Sequence, residues 1–306
     1  MSGDGVLQAA GEAARAIETV SWVLFVGGFA IFVFVMTLLA WSLRRRAGPL
    51  RARLWVVGGG LVFPGVVLAA LFAWQLPMTP SWKPMPPADA LVVGVTGHMW
   101  WWDVRYRDAS GATVRTANEI RIPAGRPVYL ALDSADVIHS FWVPALAGKI
   151  DMLPGRLQHL LLKADLPGTW RGQCAEFCGE QHARMALHVV AMEPAAFEAW
   201  LQAQARPAVA AATPRGQAGQ QAFIANRCDA CHAVRGVTAE GRLGPDLTHF
   251  GSRLHLAAGT LPNTDEARRE WIAHVQRVKS GARMPSYDRL DDATLAAISD
   301  WLGGLQ

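Results

Sequence analysis

The segment 172–185, GQCAEFCGEQHARM, concentrates side chains that bind metals. Four potential ligands follow one another at the spacing C-x3-C-x3-H-x2-M: Cys174, Cys178, His182 and Met185. Thiolate, imidazole and thioether groups together suit copper or zinc. A structural zinc site favours C-x2-C pairs without methionine, and a blue-copper site takes only one cysteine. The second cysteine therefore favours two copper ions that are bridged by the two thiolates.

Two bridged copper ions need a second imidazole from elsewhere in the chain. The same region of the sequence offers four histidines: His98, His139, His159 and His188. His139 lies in SADVIHSFWVP, which is typical of a strand that passes into a loop at Pro144. The residue pattern favours His139 and leaves the other three open.

A second motif, CDACH at 228–232, has the spacing C-x-x-C-H. This spacing places two sulfurs beside the two vinyl groups of one haem, and the next histidine then binds the iron. A redox-active dithiol would lie in a βαβ pattern, and a zinc site would need two further ligands nearby. The surrounding sequence has neither, so the motif predicts haem c bound covalently through Cys228 and Cys231, with His232 on the iron.

The sixth ligand of that iron is predicted to be Met284, the only methionine in 214–306. It lies in ARMPSY, where Pro285 ends any helix and can turn the thioether inward. A His/Met pair raises the reduction potential of a haem, which suits an electron carrier late in a respiratory chain. A bis-histidine haem is the alternative, with three candidate ligands: His249, His255 and His274.

The segment GPDLTHFG (244–251) predicts a loop at the edge of the haem. The carbonyl of Pro245 would accept a hydrogen bond from the far ring nitrogen of His232 and so fix the ring. An ordinary turn explains the same residues equally well, and both interpretations stay open at this point.

The composition indicates a membrane protein rather than a nucleic-acid-binding one. Hydrophobic residues make up 51% of the 306 residues, a high share for a soluble protein. The net charge is +4, but five arginines in 44–53 account for the excess and leave the larger segments nearly neutral. The four cysteines form two tight pairs, whereas structural disulfides usually join distant segments.

Two uninterrupted apolar runs predict a hairpin of transmembrane helices in the first domain, residues 1–87. The helices cover about 22–43 and 54–76, and the first would span roughly 33 Å, enough to cross a hydrocarbon core. The positive-inside rule predicts that the arginine-rich loop 44–53 is cytoplasmic. The N-terminus and everything after residue 77 then lie on the outer, periplasmic side of a bacterial inner (plasma) membrane.

The rest of the chain divides at an Ala/Pro-rich linker, RPAVAAATP, at 206–214. Residues 88–205 carry short β-branched and aromatic runs between Gly, Pro and Asp turns, which is typical of a β sandwich or barrel. Residues 215–306 show apolar recurrences at three and four residues, which is typical of helices. Asp291 or Asp292 is predicted to cap the last helix.

These features resemble cytochrome c oxidase subunit II, and more closely the variety with a fused C-terminal cytochrome c. The resemblance rests on C-x-E-x-C-x3-H-x2-M, on the upstream HSFWVP and on CDACH, and it covers essentially the whole chain. It implies a multi-domain membrane protein with a two-helix transmembrane hairpin and an all-β, cupredoxin-like Greek-key barrel. The third part would be an all-α, class I cytochrome c domain, in which Phe223 and Trp301 pack the first helix on the last.

The resemblance also implies a set of metal ligands. The family's binuclear copper A centre would be held by six residues: His139, Cys174, Glu176 through its backbone carbonyl, Cys178, His182 and Met185. The side chain of Glu176 would reach a magnesium ion shared with subunit I. Asp136 resembles an acid of the family near the interface, and an ordinary surface carboxylate explains it equally well.

The aromatic segment TGHMWWWDVRY (96–106) resembles the one through which the family receives electrons. The tryptophan that matches the point of electron entry is Trp100. If all three tryptophans lie on one strand, Trp100 and Trp102 share a face and Trp101 lies on the other. At least one of the three then has only a packing role.

The function implied by the resemblance is that of the electron-entry subunit of a haem-copper oxidase. A donor, such as a cytochrome c or the preceding respiratory complex, would pass electrons through haem c and copper A to subunit I. Subunit I, with the other oxidase subunits as further partners, would reduce oxygen to water and pump protons. The alternatives are a nitric-oxide reductase with a copper A subunit and a membrane-anchored electron shuttle without an oxidase partner.

The chain departs from the family pattern in one respect. Residues 47–88 contain no Asp or Glu, whereas many relatives carry a glutamate there at a proton pathway.

Overall fold

The computed structural model describes residues 8–44, 51–78, 86, 90–238 and 241–306. The chain falls into two units, one formed by Ala13–Pro84 and the other by Met1–Glu12 with Met85–Gln306. The arginine-rich loop predicted at 44–53 lies largely outside the described residues, and its cytoplasmic location stays a prediction.

Two long apolar helices, α1 (Glu12–Arg44) and α2 (Leu54–Met78), are both long and apolar enough to cross a membrane. Their large apolar side chains are mostly exposed, as expected for surfaces that contact lipid. Helix α1 begins at Glu12 rather than at the predicted Trp22, because the Ala- and Glu-rich residues before the apolar run also favour a helix. The first part of α2, Leu54–Val62, is π-helical. Both helices fit a membrane protein.

The second unit contains a β domain built from two five-stranded sheets. Its strands are β1 (Leu91–His98), β2 (Trp101–Arg107), β3 (Thr113–Ala117), β4 (Glu119–Pro123), β5 (Val128–Ser134), β6 (His139–Trp142), β7 (Ile150–Met152), β8 (Gln158–Leu162), β9 (Gly168–Cys174) and β10 (Ala186–Met192). The strand orders are β3-β2-β1-β5-β8 and β4-β10-β9-β6-β7. β1 pairs with β5 and β4 with β10 in parallel, and the other neighbours are antiparallel. This arrangement is the cupredoxin-like fold that the resemblance implied.

Alternating apolar residues of both sheets form the core of the β domain. The largest fully buried side chains there include Trp102, Tyr106, Ile120, Ile122, Leu130, Leu132 and Phe141. Helix α3 (Pro194–Ala205) follows β10, and its Phe197 lies against Tyr106 with 6.4 Å between the ring centroids. The two packed sheets give the strand ends a rigid support.

A helical domain follows, with α4 (Pro214–Ala225), α5 (Asp265–Ala273), α6 (Val275–Val278), α7 (Asp292–Gly304) and a small hairpin of β11 (His255–Leu256) and β12 (Leu261–Pro262). Phe223 of α4 meets Trp301 of α7 edge to face, with 5.0 Å between the ring centroids. This contact confirms the predicted packing of the first helix on the last. The predicted cap of α7 is Asp291, whose carboxylate accepts a hydrogen bond from the backbone N–H of Thr294 at 2.9 Å.

The segment 206–213 connects α3 to α4, within the predicted linker 206–214. The backbone N–H of Ala208 donates to the carbonyl of Arg235 at 2.8 Å, and a ring nitrogen of His249 lies 3.0 Å from the carbonyl oxygen of Arg206. The connection is therefore bound along the helical domain rather than extended away from it.

Candidate metal and haem sites

The candidate copper ligands lie at one end of the second sheet. His139 is the first residue of β6 and Cys174 is the last residue of β9, and these two strands are paired. Residues 175–185, here called the ligand loop, connect β9 to β10. The loop carries three further candidates: Cys178, His182 and Met185. Its two ends meet because the backbone N–H of Cys174 donates to the carbonyl of Met185 at 2.9 Å.

The donor atoms of these residues converge on the two cysteine sulfurs. Sγ of Cys174 lies 3.7 Å from Sγ of Cys178, and both cysteines are free, since a disulfide would join the sulfurs at ~2.05 Å. His139 Nδ1 lies 3.9 Å from the first sulfur, and His182 Nδ1 lies 3.7 Å from the second. Each sulfur therefore has one imidazole beside it.

Two weaker donors complete the set. The backbone oxygen of Glu176 lies 3.2 Å from Cys174 Sγ, and Met185 Sδ lies 3.8 Å from Cys178 Sγ. Each sulfur is thus accompanied by one imidazole and one weak donor, which fits a pair of thiolate-bridged copper ions. A single tetrahedral zinc ion would need four ligands around one point instead.

This site is shielded from water. His139 is fully buried, and Cys174, Cys178 and Met185 are 4%, 3% and 1% exposed. The hydrogen bond between the two cysteines lowers the pKa of the Cys174 thiol and, together with burial, raises the pKa of the Cys178 thiol. Cysteine binds metals as the thiolate, so a cation bound at this site would displace the thiol protons.

Asp136 fixes the ring of His139. Its Oδ1 lies 2.8 Å from His139 Nε2, and the carboxylate also accepts hydrogen bonds from the backbone N–H groups of Met99 and Val137, each at 2.8 Å. Burial would raise the pKa of Asp136, but these hydrogen bonds outweigh it and lower the pKa. Because a carboxylate only accepts, Nε2–H donates to it and Nδ1 remains free for a metal.

Cys228, Cys231 and His232 of the CDACH motif line a cavity of about 310 Å³. Cys228 begins a short 3₁₀ turn after α4, and Cys231 follows directly after that turn. Apolar side chains of the helical domain, such as Leu247 and Ile272, contribute to the walls. Burial raises the pKa of the Cys228 thiol to about 11. An apolar cavity edged by two thiols and an imidazole fits a covalently attached haem.

His232 is held in one ring orientation. Its Nδ1 lies 2.8 Å from the carbonyl oxygen of Pro245, the contact predicted from the sequence, and Nδ1–H must be the donor because a carbonyl only accepts. Gly244 permits this approach, since a Cβ there would lie 2.6 Å from Cε1 of the ring. Burial lowers the pKa of His232, which keeps the imidazole neutral and leaves Nε2 free for iron. Iron binding itself stays a prediction.

Met284 lines the same cavity and is the favoured sixth ligand. Among the rival histidines only His255 is also a lining residue, and its ring is stacked on that of His188 with 4.1 Å between the centroids. His249 and His274 are not among the described residues that line the cavity. The thioether is therefore the better placed candidate.

Trp100 lies in the turn between β1 and β2, outside both strands, so the condition under which it would share a strand face with Trp102 is not met. A hydrogen-bonded turn replaces the strand at this point. Trp102 is fully buried in the core, whereas Trp100 lines the cavity and donates its indole N–H to the carbonyl of Cys178 at 2.9 Å. One tryptophan therefore contacts both sites.

Sequence reasoning missed two polar contacts at these sites. The first is the bond between Asp136 and His139, for which the spacing of three residues was the only signal. The second involves Lys279, whose ammonium donates to the backbone carbonyls of Trp100 at 2.7 Å and Arg184 at 2.8 Å. Backbone acceptors have no signature in the sequence, so nothing pointed to this contact.

Two segments of the chain match known protein families. Residues 109–192 match the family described as cytochrome C oxidase subunit II, periplasmic domain. Residues 216–306 match the family described as cytochrome c. The first segment contains the ligand loop, and the second contains CDACH.

Proteins named cytochrome c oxidase subunit 2 are similar over most of the chain. The one from Alkalihalophilus pseudofirmus is 38% identical over 218 residues, which cover 71% of this chain and 62% of that relative. The one from Bacillus subtilis is 31% identical over 256 residues, which cover 80% of this chain and 70% of the relative. The crystal structure of the periplasmic domain of subunit II of cytochrome oxidase from Bradyrhizobium japonicum is 31% identical. It covers 40% of this chain and 97% of that chain, with a TM-score of 0.37.

Proposed function

Because this chain belongs to the cytochrome c oxidase subunit 2 family, we propose that it is the electron-entry subunit of a haem-copper oxidase. The observation that carries the proposal is the convergence of three side-chain donors and one backbone carbonyl on two sulfurs that lie 3.7 Å apart. Bound copper and haem would supply reversible one-electron storage. The oxygen-reducing site would lie on subunit I.

The β domain holds the copper pair through six residues: His139, Cys174, the Glu176 carbonyl, Cys178, His182 and Met185. The two thiolates offset much of the positive charge of two copper ions. Asp136 keeps the His139 ring in place, and the paired strands β6 and β9 hold Cys174 against it. A ligand set fixed by hydrogen bonds and strand pairing changes little when the charge of the site changes, which favours fast electron transfer.

Cys228 and Cys231 of the helical domain would hold haem c through thioether bonds, and His232 and Met284 would supply its iron ligands. The Pro245 carbonyl orients His232 through the hydrogen bond at 2.8 Å. The apolar walls exclude water from the haem, which together with a His/Met pair raises its reduction potential.

Trp100 is the proposed point of electron entry into the copper site. Its ring lines the haem cavity, and its indole N–H is bonded to the carbonyl of the ligand Cys178. In this chain the electron reaches Trp100 from the fused helical domain, so a free cytochrome need not dock on the β domain.

The proposed partners are subunit I, the other oxidase subunits and a donor such as a cytochrome c or the preceding respiratory complex. The Glu176 side chain contributes to a magnesium site shared with subunit I.

The proposed domains are 1–87, 88–205 and 215–306, joined by the linker 206–214. Both large domains lie on the periplasmic side of a bacterial inner membrane.

The test is to purify the tagged full chain from its native membranes and to measure its metals, spectra and turnover. We expect about two coppers for each covalently bound haem c of this chain, in addition to the haem and copper of subunit I. We also expect a near-infrared band of mixed-valence copper beside a c-type haem spectrum, and oxygen consumption. The Cys178→Ser variant is the control and is expected to lose the near-infrared band while it keeps the haem spectrum.

The alternatives predict different results in the same experiment. Turnover with nitric oxide but not oxygen would indicate a reductase, and a chain that purifies alone would indicate a shuttle. One zinc ion in place of copper, or a disulfide between Cys174 and Cys178 in the active protein, would overturn the proposal.

A further inference from the structure

One buried ammonium group, that of Lys279, lies where the β domain contacts the helical domain. Lys279 directly follows α6. Its Nζ donates to three backbone carbonyls, those of Trp100 at 2.7 Å, Arg184 at 2.8 Å and Ala257 at 3.2 Å. The first two belong to the β domain and the third to the helical domain. All three N–H donors of the lysine are therefore used, and they join the two domains at one point.

Burying this ammonium is costly. Lys279 is only 3% exposed, and among the described residues no carboxylate lies within 4.0 Å of it. A buried charge without a counter-ion is tolerated only where its hydrogen bonds are satisfied. Burial accordingly lowers the pKa of Lys279 to about 7. A neutral apolar residue would avoid the cost of the buried charge but would leave three backbone carbonyls without their donor, so the hydrogen bonds are what the lysine contributes at this position.

The positions of the three carbonyls indicate what these hydrogen bonds do. Arg184 directly precedes the candidate ligand Met185, and the Trp100 indole is bonded to the carbonyl of Cys178. Lys279, Trp100 and Ala257 also line the cavity predicted to hold the haem. One ammonium thus contacts both the wall of that cavity and the C-terminal end of the ligand loop.

We propose that Lys279 is a positioning residue that fixes the helical domain on the ligand loop and so sets the geometry between haem and copper. The link to electron transfer rests on the proposed function, whereas the docking of the two domains does not. If Lys279 is replaced, the domains remain folded and connected, but the helical domain leaves the β domain more often.

Two backbone amides report this separation directly, because their hydrogen bonds cross between the domains. The N–H of Ala186 donates to the carbonyl of Ala258 at 3.0 Å, and the N–H of Leu254 donates to the carboxylate of Glu119 at 2.9 Å. Each bond must break when the domains separate, so the exchange of each amide with solvent measures the population of the open state.

The experiment compares the full-length chain in its purified complex with the Lys279→Met variant by hydrogen–deuterium exchange at single residues. Removing hydrogen bonds to a charged donor is expected to raise exchange at Ala186 and Leu254 by ~10-fold or more. Lys149→Met is the matched control, because Lys149 pairs with Asp151 on the surface with its side chain 48% exposed.

Two amides with bonds inside one domain show whether the domains themselves stay folded. The Asn118 N–H donates to the Trp102 carbonyl at 2.9 Å, and the Tyr287 N–H donates to the Ile272 carbonyl at 3.0 Å. Their exchange is expected to stay at the parental rate. Faster exchange at all four amides would mean unfolding rather than separation and would overturn the proposal, as would parental exchange at Ala186 and Leu254.

The Lys279→Arg variant separates the role of the charge from that of packing. It keeps the charge and the donors, so it is expected to retain most of the protection from exchange. Equal loss in the Arg and Met variants would contradict the proposal.

Photoreduction of the haem measures electron transfer. In Lys279→Met we expect the haem to be reduced at the parental rate and to be reoxidised more slowly. Metal content measured on the same samples tests the proposed function separately, since the exchange result does not require an oxidase.

Discussion

The two cysteine pairs of this chain are surrounded in opposite ways. Cys174 and Cys178 have their sulfurs 3.7 Å apart, with an imidazole within 3.9 Å of each, and mutual hydrogen bonding lowers the pKa of the first thiol. Cys228 and Cys231 instead edge a cavity of about 310 Å³, and burial raises the pKa of the Cys228 thiol. The first pair therefore places two sulfurs and two imidazoles together, as a metal site requires, whereas at the second pair burial favours the neutral thiol of Cys228.

The two sites depend to different degrees on the copper or haem that each is proposed to bind. The candidate copper ligands are brought together by strand pairing and by hydrogen bonds of the chain itself, such as that between the Cys174 N–H and the Met185 carbonyl. The candidate haem ligands surround a space that no side chain fills. We therefore expect the β domain to fold without metal and the helical domain to need its haem.

The strongest test of this difference is the double variant Cys228→Ala, Cys231→Ala, which cannot attach haem. An empty space of about 310 Å³ leaves the surrounding apolar side chains without contacts, and this loss is large against the ~5–15 kcal/mol stability of a typical domain. We expect the helical domain to unfold and become sensitive to protease at 25 °C. The β domain should keep its sheet signal in circular dichroism, and a protease-resistant helical domain would contradict the comparison.

A smaller effect is expected for Phe223→Ala in the haem-loaded chain. Phe223 is 2% exposed and packs on Trp301, so its truncation should lower the free energy of unfolding of the helical domain by ~3–5 kcal/mol. Ile224→Ala on the same helix is the control, because Ile224 is 40% exposed and should change stability by ~0.5 kcal/mol. Denaturant unfolding followed by haem absorbance measures both, and equal losses would show that α4 does not pack as described.

On the copper side, Cys178→Ser should change metal binding far more than folding. A hydroxyl nearly matches the thiol in size, so the metal-free β domain should lose only ~1 kcal/mol of unfolding free energy. Copper content should fall from two ions per chain to one or none. Phe177→Leu is the control, because Phe177 lies on the same loop, is 75% exposed and provides no ligand. A metal-free β domain that unfolds in Cys178→Ser would remove the contrast with the helical domain.

The smallest expected effect is a pH dependence at Asp265, at the start of α5. A hydrogen bond from Ser299, with support from Arg269, lowers the pKa of this carboxyl below its ordinary 3.8. A lowered pKa means that the stabilisation is present above pH 3.8 and is lost as the pH falls through the lowered value. Because the side chain is 44% exposed, Asp265→Asn should cost only ~0.5 kcal/mol at pH 7 and nothing at pH 2. Thermal unfolding at both pH values measures this, and a pH-independent cost would contradict the assignment.

Several features of the site follow from spacing in the sequence. Cys174, Cys178, His182 and Met185 lie within one short loop, so any fold that closes this loop brings them together. His139 is different, because it reaches the site through the pairing of β6 with β9, a contact between distant segments that the residues alone left open among four histidines. The position of Trp100 was likewise not determined by the sequence. A strand was considered for this residue, and it lies in a turn.

The contact between the two domains could not be predicted from the sequence at all. Lys279 lies in QRVKS, where a lysine is typical of a solvated helix end, and its partners are backbone carbonyls of residues far along the chain. Glu119 likewise accepts a hydrogen bond from the backbone of Leu254. Contacts with backbone atoms depend on the relative placement of folded domains, and no residue type marks them in advance.

The segment 206–213, which is bound along the helical domain through Ala208 and Arg206, has a consequence for competition. A connection this short keeps the helical domain at an effective concentration of ~1 mM beside the surface of the β domain. A free electron-carrier protein at micromolar concentration would compete for the same surface at a concentration roughly a thousandfold lower. Under the proposed function, an external reductant would then approach the helical domain from its other sides, and dilution of the complex would not change electron transfer between the two domains.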